Sequence, residues 1–112
     1  MSHSTPIALE VRIRHVEPRA EVADLIRHRL REVLGRFSGE IASATARVED
    51  VNGPRGGRDT RVAVEVRGPR IGALAVERVV VDVRAGVVDV SERLLRVIRR
   101  RLSRRMRLAT PR

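Results

Sequence analysis

The spacing of apolar residues changes along this chain, and each change marks a different element of secondary structure. Residues 7–13 alternate apolar and polar side chains, which predicts a strand with one buried face. In the next segment apolar residues recur every three or four positions, which predicts an amphipathic helix over 19–37 that begins after Pro18 and ends before Gly39. The apolar stripe of this helix must face a sheet.

Three further strands and a second helix follow. The strands are predicted at 41–50, 60–67 and 71–80, and the second of them alternates most clearly. Asp82 then offers an N-cap for the final helix. The element order is therefore β-α-β-β-β-α, an α+β chain in which strands and helices supply one core.

The segment between the second and third strands is rich in glycine. Its Asn52-Gly53 and Gly56-Gly57 pairs favour tight turns, which predicts a long hairpin tip. An auxiliary phosphate contact is the alternative, because arginines flank a backbone that can form an anion nest. The segment is not a Walker motif, since it has no Gly-Lys-Ser or Gly-Lys-Thr and no helix directly after it.

The length and composition predict one cytoplasmic domain. A chain of 112 residues is expected to form a single unit over 1–112, with frayed tails at 1–6 and 108–112. It has no cysteine, so no disulfide or thiolate metal site is available. The N-terminus lacks the pattern of a secretion signal, and no apolar run approaches the ~20 residues of a membrane-spanning helix.

The excess positive charge is concentrated in the last third of the chain. Residues 84–112 hold ten arginines against only Asp89 and Glu92, which is +8 of the formal net charge of +10. The other 83 residues carry 14 arginines and 12 acids, which nearly cancel. Such a segment points to a polyanionic partner, because fixed cations gain affinity by releasing counterions from phosphates.

The charges of the final helix form a track. At about 100° per residue, apolar side chains fill one sector, and five arginines fill a sector about 80° wide on the other side. The arginines of the track are Arg93, Arg96, Arg100, Arg104 and Arg107. The track would extend ~21 Å, enough to follow several successive phosphates. Arg101 and Arg105 stand where the apolar sector would continue, so the helix is expected to overrun its sheet beyond Leu102.

Other modes of recognition and chemistry are poorly represented. Phe37 is the only aromatic residue, so recognition must rely on backbone charge and shape rather than on base stacking. His3, His15 and His28 have no metal-ligand spacing and no nucleophile pattern beside them. We therefore expect no enzyme activity, no cofactor, no metal and no small-molecule substrate.

The chain resembles a known family over about residues 7–107. The resemblance lies in the element order, the segment Ile26–Phe37 (IRHRLREVLGRF), the loop Asp50–Asp59 (DVNGPRGGRD) and several residues of the last helix. Those last residues are Asp82, Ala85, Val87, Arg93, Leu94 and Arg96. The family is that of the ribosome hibernation promoting factors and ribosome-associated inhibitors, also called sigma-54 modulation proteins, and the chain is similar to its short form.

This resemblance implies a structure and a function. It implies a four-stranded sheet with both helices packed on one face, similar to a double-stranded-RNA-binding domain. It also implies binding to the small ribosomal subunit and its rRNA, in the channel of the messenger RNA and of the A-site and P-site tRNAs. Translation would be inhibited reversibly by occlusion, either on single ribosomes or with the formation of ribosome dimers.

The resemblance also places the rRNA-binding residues on both helices. In the first helix they are His28 and Arg29, to which we add Arg31 from the same basic segment. In the second helix they are Arg93, Arg96, Arg100 and Arg104, and Arg107 completes the track. The family more often has a lysine pair at His28-Arg29 and a base at Glu32, so the first-helix contacts are expected to be weaker.

Three alternatives remain open at this stage. The first is a general duplex-binding module that acts off the ribosome, which selectivity for small subunits would exclude. A second alternative is attachment of the basic final helix to a membrane surface, although its apolar side has no Trp or Phe anchor. A third is a diverged relative that kept the fold and lost ribosome binding.

Overall fold

Within the residues that it describes, 7–51 and 59–109, the computed structural model has the predicted α+β order of elements. In chain order they are β1 (Ala8–Arg14), α1 (Arg19–Leu34), β2 (Ser43–Asp50), β3 (Thr60–Gly68), β4 (Gly72–Val80) and α2 (Val83–Ala109). The helix predicted over 19–37 is an α-helix only to Leu34, and Gly35–Phe37 form a 3₁₀ turn. The predicted tail at 1–6 lies outside the described residues, as do 110–112, while α2 continues through Ala109.

The four strands form one mixed sheet in the order β1-β2-β3-β4. β1 and β2 are parallel, so the chain must cross over between them, and α1 forms that crossover. The other two pairs are antiparallel. At the start of the predicted hairpin tip the Val51 N–H donates to the Asp59 carbonyl at 3.1 Å, which confirms a hairpin there, while residues 52–58 lie outside the described part.

The core occupies one face of the sheet. The register pairs Ala46 with Val64 and Val64 with Val76, and all three side chains are buried. On the other face Arg47 and Glu65 are exposed. Both helices place their buried stripes against the apolar face, as the family resemblance implied. These stripes are Val22, Ile26, Leu30 and Leu34 in α1, and Val87, Val90, Leu94 and Ile98 in α2.

The two helices lie side by side over different strands. α1 contacts β1, α2 contacts β3 and β4, and the helices contact each other. The first turns of the two helices meet at a groove lined by Glu21, Leu25, Val83 and Arg84. In the described ranges, neither helix is long and apolar enough to cross a membrane.

Candidate nucleic-acid interface

The start of α2 is capped as the sequence predicted. The backbone N–H of Arg84 donates to the Asp82 carboxylate (Oδ1) at 3.0 Å, and the N–H of Gly86 donates to the Asp82 carbonyl at 2.9 Å. The first bond satisfies an N–H group that the first turn of a helix leaves without a partner, and the second is the first regular i→i−4 bond of the helix. The helix that carries the arginines therefore begins at a defined point on the fold.

The buried stripe holds α2 against the sheet and fixes its rotation. Val87, Val90, Leu94 and Ile98 are at most 1% exposed. Ser91 is the one polar side chain among them, and its hydroxyl donates to the Val88 carbonyl at 2.8 Å. Because the stripe is anchored and its polar member is satisfied, the opposite side of α2 must face solvent.

One side of α2 is turned toward β4, which is one of the two edge strands of the sheet. A Cβ atom added at Gly86 would lie 2.5 Å from the Val80 side chain, so the absence of a side chain lets α2 approach β4 closely. One turn later, Arg78 of β4 forms an ion pair with Asp89 of α2, Nε to Oδ2 at 2.8 Å. Two contacts with β4 therefore mark the same side of the helix.

The predicted arginine track continues along that side. Because side chains three or four residues apart share a side of a helix, Asp89 is followed there by Arg93 and Arg96. Arg100 and Arg104 come after them, and all four arginines are exposed. The track thus borders the β4 edge and lies on the side of α2 away from α1. The side chain of Arg107 lies outside the described part.

The track arginines carry uncompensated charge. Among the residues that the structure describes, no carboxylate lies within ion-pair distance of Arg93, Arg96, Arg100 or Arg104. By contrast, Arg61 on the sheet forms an ion pair with Glu49, Nη1 to Oε1 at 3.0 Å. Unpaired guanidiniums in a row favour a polyanion, since each can contact a phosphate in bidentate geometry.

Arg101 has a different role from its neighbours in the track. It is half-buried, and its Nη1 donates to the backbone carbonyl of Ile71 at 2.6 Å. Ile71 belongs to the turn between β3 and β4, which Gly72 completes with a φ of 69°. The sequence indicated only that an arginine interrupts the apolar sector here. The structure shows that this arginine ties the later part of α2 to the sheet.

The candidate residues of α1 form a second group. His28 lies 3.6 Å from Glu32, Nε2 to Oε1, and both side chains are largely exposed. Arg31 is exposed, whereas Arg29 is half-buried. The structure therefore places the two predicted groups on adjacent helices of one layer, and it does not merge them into a single row, because the α2 track faces β4 rather than α1.

The described residues contain no arrangement suited to metal binding. No group of three or more His, Asp or Glu side chains comes together in residues 7–51 and 59–109. His15 is exposed at the end of β1 with a φ of 57°, and His28 is on the α1 surface. Phe37, the one aromatic ring, packs against the core and is not offered for stacking.

The fold and the exposed cations define a small basic α+β domain in which two helices cover one face of a four-stranded mixed sheet. A solved structure with this fold is the N-terminal domain of Thermus thermophilus Protein Y, with a TM-score of 0.66 and 19% identity over 84% of this chain and 98% of that one. Another is a ribosomal subunit interface protein from Coxiella burnetii, with a TM-score of 0.70 and 12% identity over 84% of this chain and 96% of that one.

At these identities the likeness is one of fold. It confirms the architecture that the sequence resemblance implied, a β-α-β-β-β-α domain with a four-stranded sheet and two helices. No protein-family model matches the chain, and no curated protein matches it.

Proposed function

We propose that this protein is a ribosome hibernation factor that binds the small ribosomal subunit and reversibly inhibits translation. The observation that carries the proposal is the row of exposed arginines on α2 that have no carboxylate partner among the described residues. The row is held on a fold shared with a protein described as a ribosomal subunit interface protein. The row supplies the affinity for rRNA, and the fold indicates which RNA assembly is the target.

The arginines bind phosphates rather than bases. Arg93, Arg96, Arg100 and Arg104 project from a helix whose rotation is fixed by its buried stripe, so they meet the rRNA backbone as a preformed row. With four phosphate contacts, raising the salt from ~50 to ~200 mM weakens binding on the order of a hundredfold. The sequence spacing predicts that Arg107 belongs to the same row.

The first helix adds a smaller contribution. Arg31 is exposed and Arg29 partly so, and both carry charge toward the RNA. His28 is close to Glu32, which offsets cationic charge at that point of the surface. We therefore assign the main binding to α2 and a supporting role to His28, Arg29 and Arg31.

Inhibition follows from occlusion and needs no catalytic step. A folded domain in the channel of the messenger RNA and of the A-site and P-site tRNAs excludes the message and the initiator tRNA from the volume that it fills. The contacts are ionic and depend on salt, so the block is reversible. The protein acts in the cytoplasm, where ribosomes are, and acts without a cofactor.

Cosedimentation through a sucrose gradient at near-physiological salt tests the proposal. Purified protein is mixed with small subunits, with whole ribosomes or with ribosome-free duplex RNA. Migration with small subunits and ribosomes but not with duplex is the expected result, and a new ribosome-dimer peak would add pairing to the mechanism. Absence from every ribosomal fraction would overturn the proposal.

A matched pair of variants connects the result to the track. The double variant Arg96→Ala, Arg100→Ala removes two exposed track charges and is expected to reduce ribosome binding at least tenfold. Arg47→Ala with Arg67→Ala removes two exposed arginines from the opposite face of the sheet and should leave binding unchanged. Equal losses in both variants would mean that net charge, rather than the track, governs binding.

General duplex binding is the second candidate, and one observation favours it. The track offers cations for phosphates but no exposed ring for a base, and such contacts carry no sequence information. Equal retention of the protein on duplex RNA and on small subunits would select this candidate over the first.

A further inference from the structure

The edge of the sheet opposite the arginine track has features of a second binding surface. β1 lies at this edge, and in the described part of the chain it pairs only with β2. Between β1 and α1 runs an open groove of about 570 Å³, lined among others by Val11, Ile13 and Arg19. The α1 side of the groove includes Ala20 and Ala23, whose small side chains leave the groove open.

Within residues 7–51 and 59–109, the backbone of β1 has unpaired hydrogen-bonding groups at this edge. The Ala8 N–H donates to the Ala42 carbonyl at 3.1 Å, so the polar backbone groups of Ala8 face β2. Because these groups alternate in direction along a strand, those of Leu9, Val11 and Ile13 point away from the sheet. A row of such groups is a template for one more strand.

The side chains beside these backbone groups determine which residue pattern an added strand needs. Arg12 and Arg14 stand on the open face of the sheet and are exposed, while Val11 and Ile13 stand on the helix side. Arg12 forms an ion pair with Glu10, Nη2 to Oε1 at 2.9 Å. In residues 7–51 and 59–109, no carboxylate pairs with the guanidinium of Arg14 or Arg19. Side chains of an added strand would alternate in the same way.

We propose that the β1 edge binds an extended acidic segment of a partner protein as a fifth strand. Its acidic residues lie across from Arg12 and Arg14, and its apolar residues enter the groove between Val11 and Ala23. Nucleic acid fits less well, because the edge offers backbone pairing and an apolar floor. A second copy of this chain is also disfavoured, since β1 with Arg19 beside it is itself net positive.

The surface is separate from the arginine track. β1 and β4 are the two opposite edges of the sheet, and the arginine track borders β4. A domain held on rRNA through α2 therefore leaves the β1 edge available to a protein partner. Failure of either proposal does not affect the other.

An NMR experiment with a synthetic peptide tests this inference. The probe is acetyl-Glu-Val-Glu-Val-Glu-Val-Glu-amide, added to the full chain while backbone amide exchange is measured. The expected result is slower exchange at the Leu9, Val11 and Ile13 amides, which face outward. The same peptide with lysine in place of glutamate, and one with proline in place of the central valine, should bind weakly or not at all.

Protein variants separate this site from the track. Arg12→Glu with Arg14→Glu is expected to weaken the peptide roughly tenfold, since two opposite-charge pairs become like-charge pairs. Arg12→Ala with Arg14→Ala is the milder version if the reversed charges disturb folding. Arg96→Ala with Arg100→Ala should leave peptide affinity unchanged.

Several outcomes would overturn the inference. Peptide-induced changes confined to α2, or abolished by the track variant, would mean that the acidic peptide simply binds the arginine row. Protection of the β1 amides that depends on protein concentration without peptide would identify a second copy as the occupant. Stronger protection by duplex RNA than by the peptide would assign the edge to nucleic acid. No binding at millimolar peptide would refute the proposal directly.

Discussion

Arg100 and Arg101 are adjacent, equally charged and expected to behave oppositely when each is replaced by alanine. Arg100 is exposed and unpaired in the described structure, whereas Arg101 is half-buried and donates to the Ile71 carbonyl at 2.6 Å. A hydrogen bond from a charged donor contributes about 1.5–3 kcal/mol in proteins, and partial exposure of Arg101 reduces this to about 1–2 kcal/mol. Ile71 itself is fully buried, so its carbonyl would lose a partner.

The expected effect of Arg101→Ala is therefore a loss of stability. For a domain of this size, about 1–2 kcal/mol lowers the melting temperature by about 4–8 °C. Arg100→Ala is expected to change the stability by less than about 0.5 kcal/mol, because it is a surface substitution without a partner. Thermal unfolding followed by circular dichroism measures both, with Arg47→Ala as the control for loss of one exposed charge.

RNA binding should show the reverse pattern. Removing a phosphate contact lowers the slope of log affinity against log salt by about 0.7–0.9, so Arg100→Ala should reduce the slope by this amount. Arg101→Ala should leave the slope unchanged, since its guanidinium is engaged with Ile71. If Arg101→Ala lowers the slope and leaves the melting temperature unchanged, the assignment of this residue to the fold is refuted.

Three further predictions concern the helix that presents the arginines. Leu94→Ala should lower the free energy of unfolding by about 2–5 kcal/mol, because Leu94 is fully buried; urea titration measures this, and a cost below 1 kcal/mol would contradict the packing. Asp82→Ala should cost about 1 kcal/mol through loss of the cap to the Arg84 N–H, while Asp82→Asn should cost less; equal costs in thermal unfolding would exclude capping as the cause. Binding to small subunits should fall on the order of a hundredfold between ~50 and ~200 mM salt, as measured by titration at several salt concentrations; a flat dependence would contradict phosphate contacts.

Much of the fold was predictable from the sequence because the relevant signals are local. The period of two in the strands and the three-and-four spacing in the helices follow from which side chains a neighbouring element buries. Asp82 was predictable as a cap because capping needs only a short polar side chain at the right position. The C-terminal end of α1 was harder to predict, since a 3₁₀ turn at Gly35–Phe37 preserves nearly the same apolar spacing as an α-helix.

The candidate site was predictable in part. The angular position of Arg93, Arg96, Arg100 and Arg104 on their helix follows from sequence spacing alone, and the structure finds all four exposed. Their role in binding rRNA, like that of His28, Arg29, Arg31 and Arg107, stays a prediction. The hydrogen bond of Arg101 to Ile71 was not predictable, because it joins residues 30 positions apart and leaves no periodic signal.

Local signals specify which segments are strands and helices, which side chains each one buries, and where the charge is concentrated, because these properties depend on neighbours along the chain. Tertiary contacts were needed to establish that β1 is an edge strand parallel to β2, and that the side of α2 with the track lies next to β4. The parallel pairing depends on the register of β1 with β2 across the intervening helix, as at Ala8 and Ser43. The position of α2 depends on its contacts with β4, as between Arg78 and Asp89. Local periodicity is the same for any arrangement that buries the same faces, so it cannot select among them.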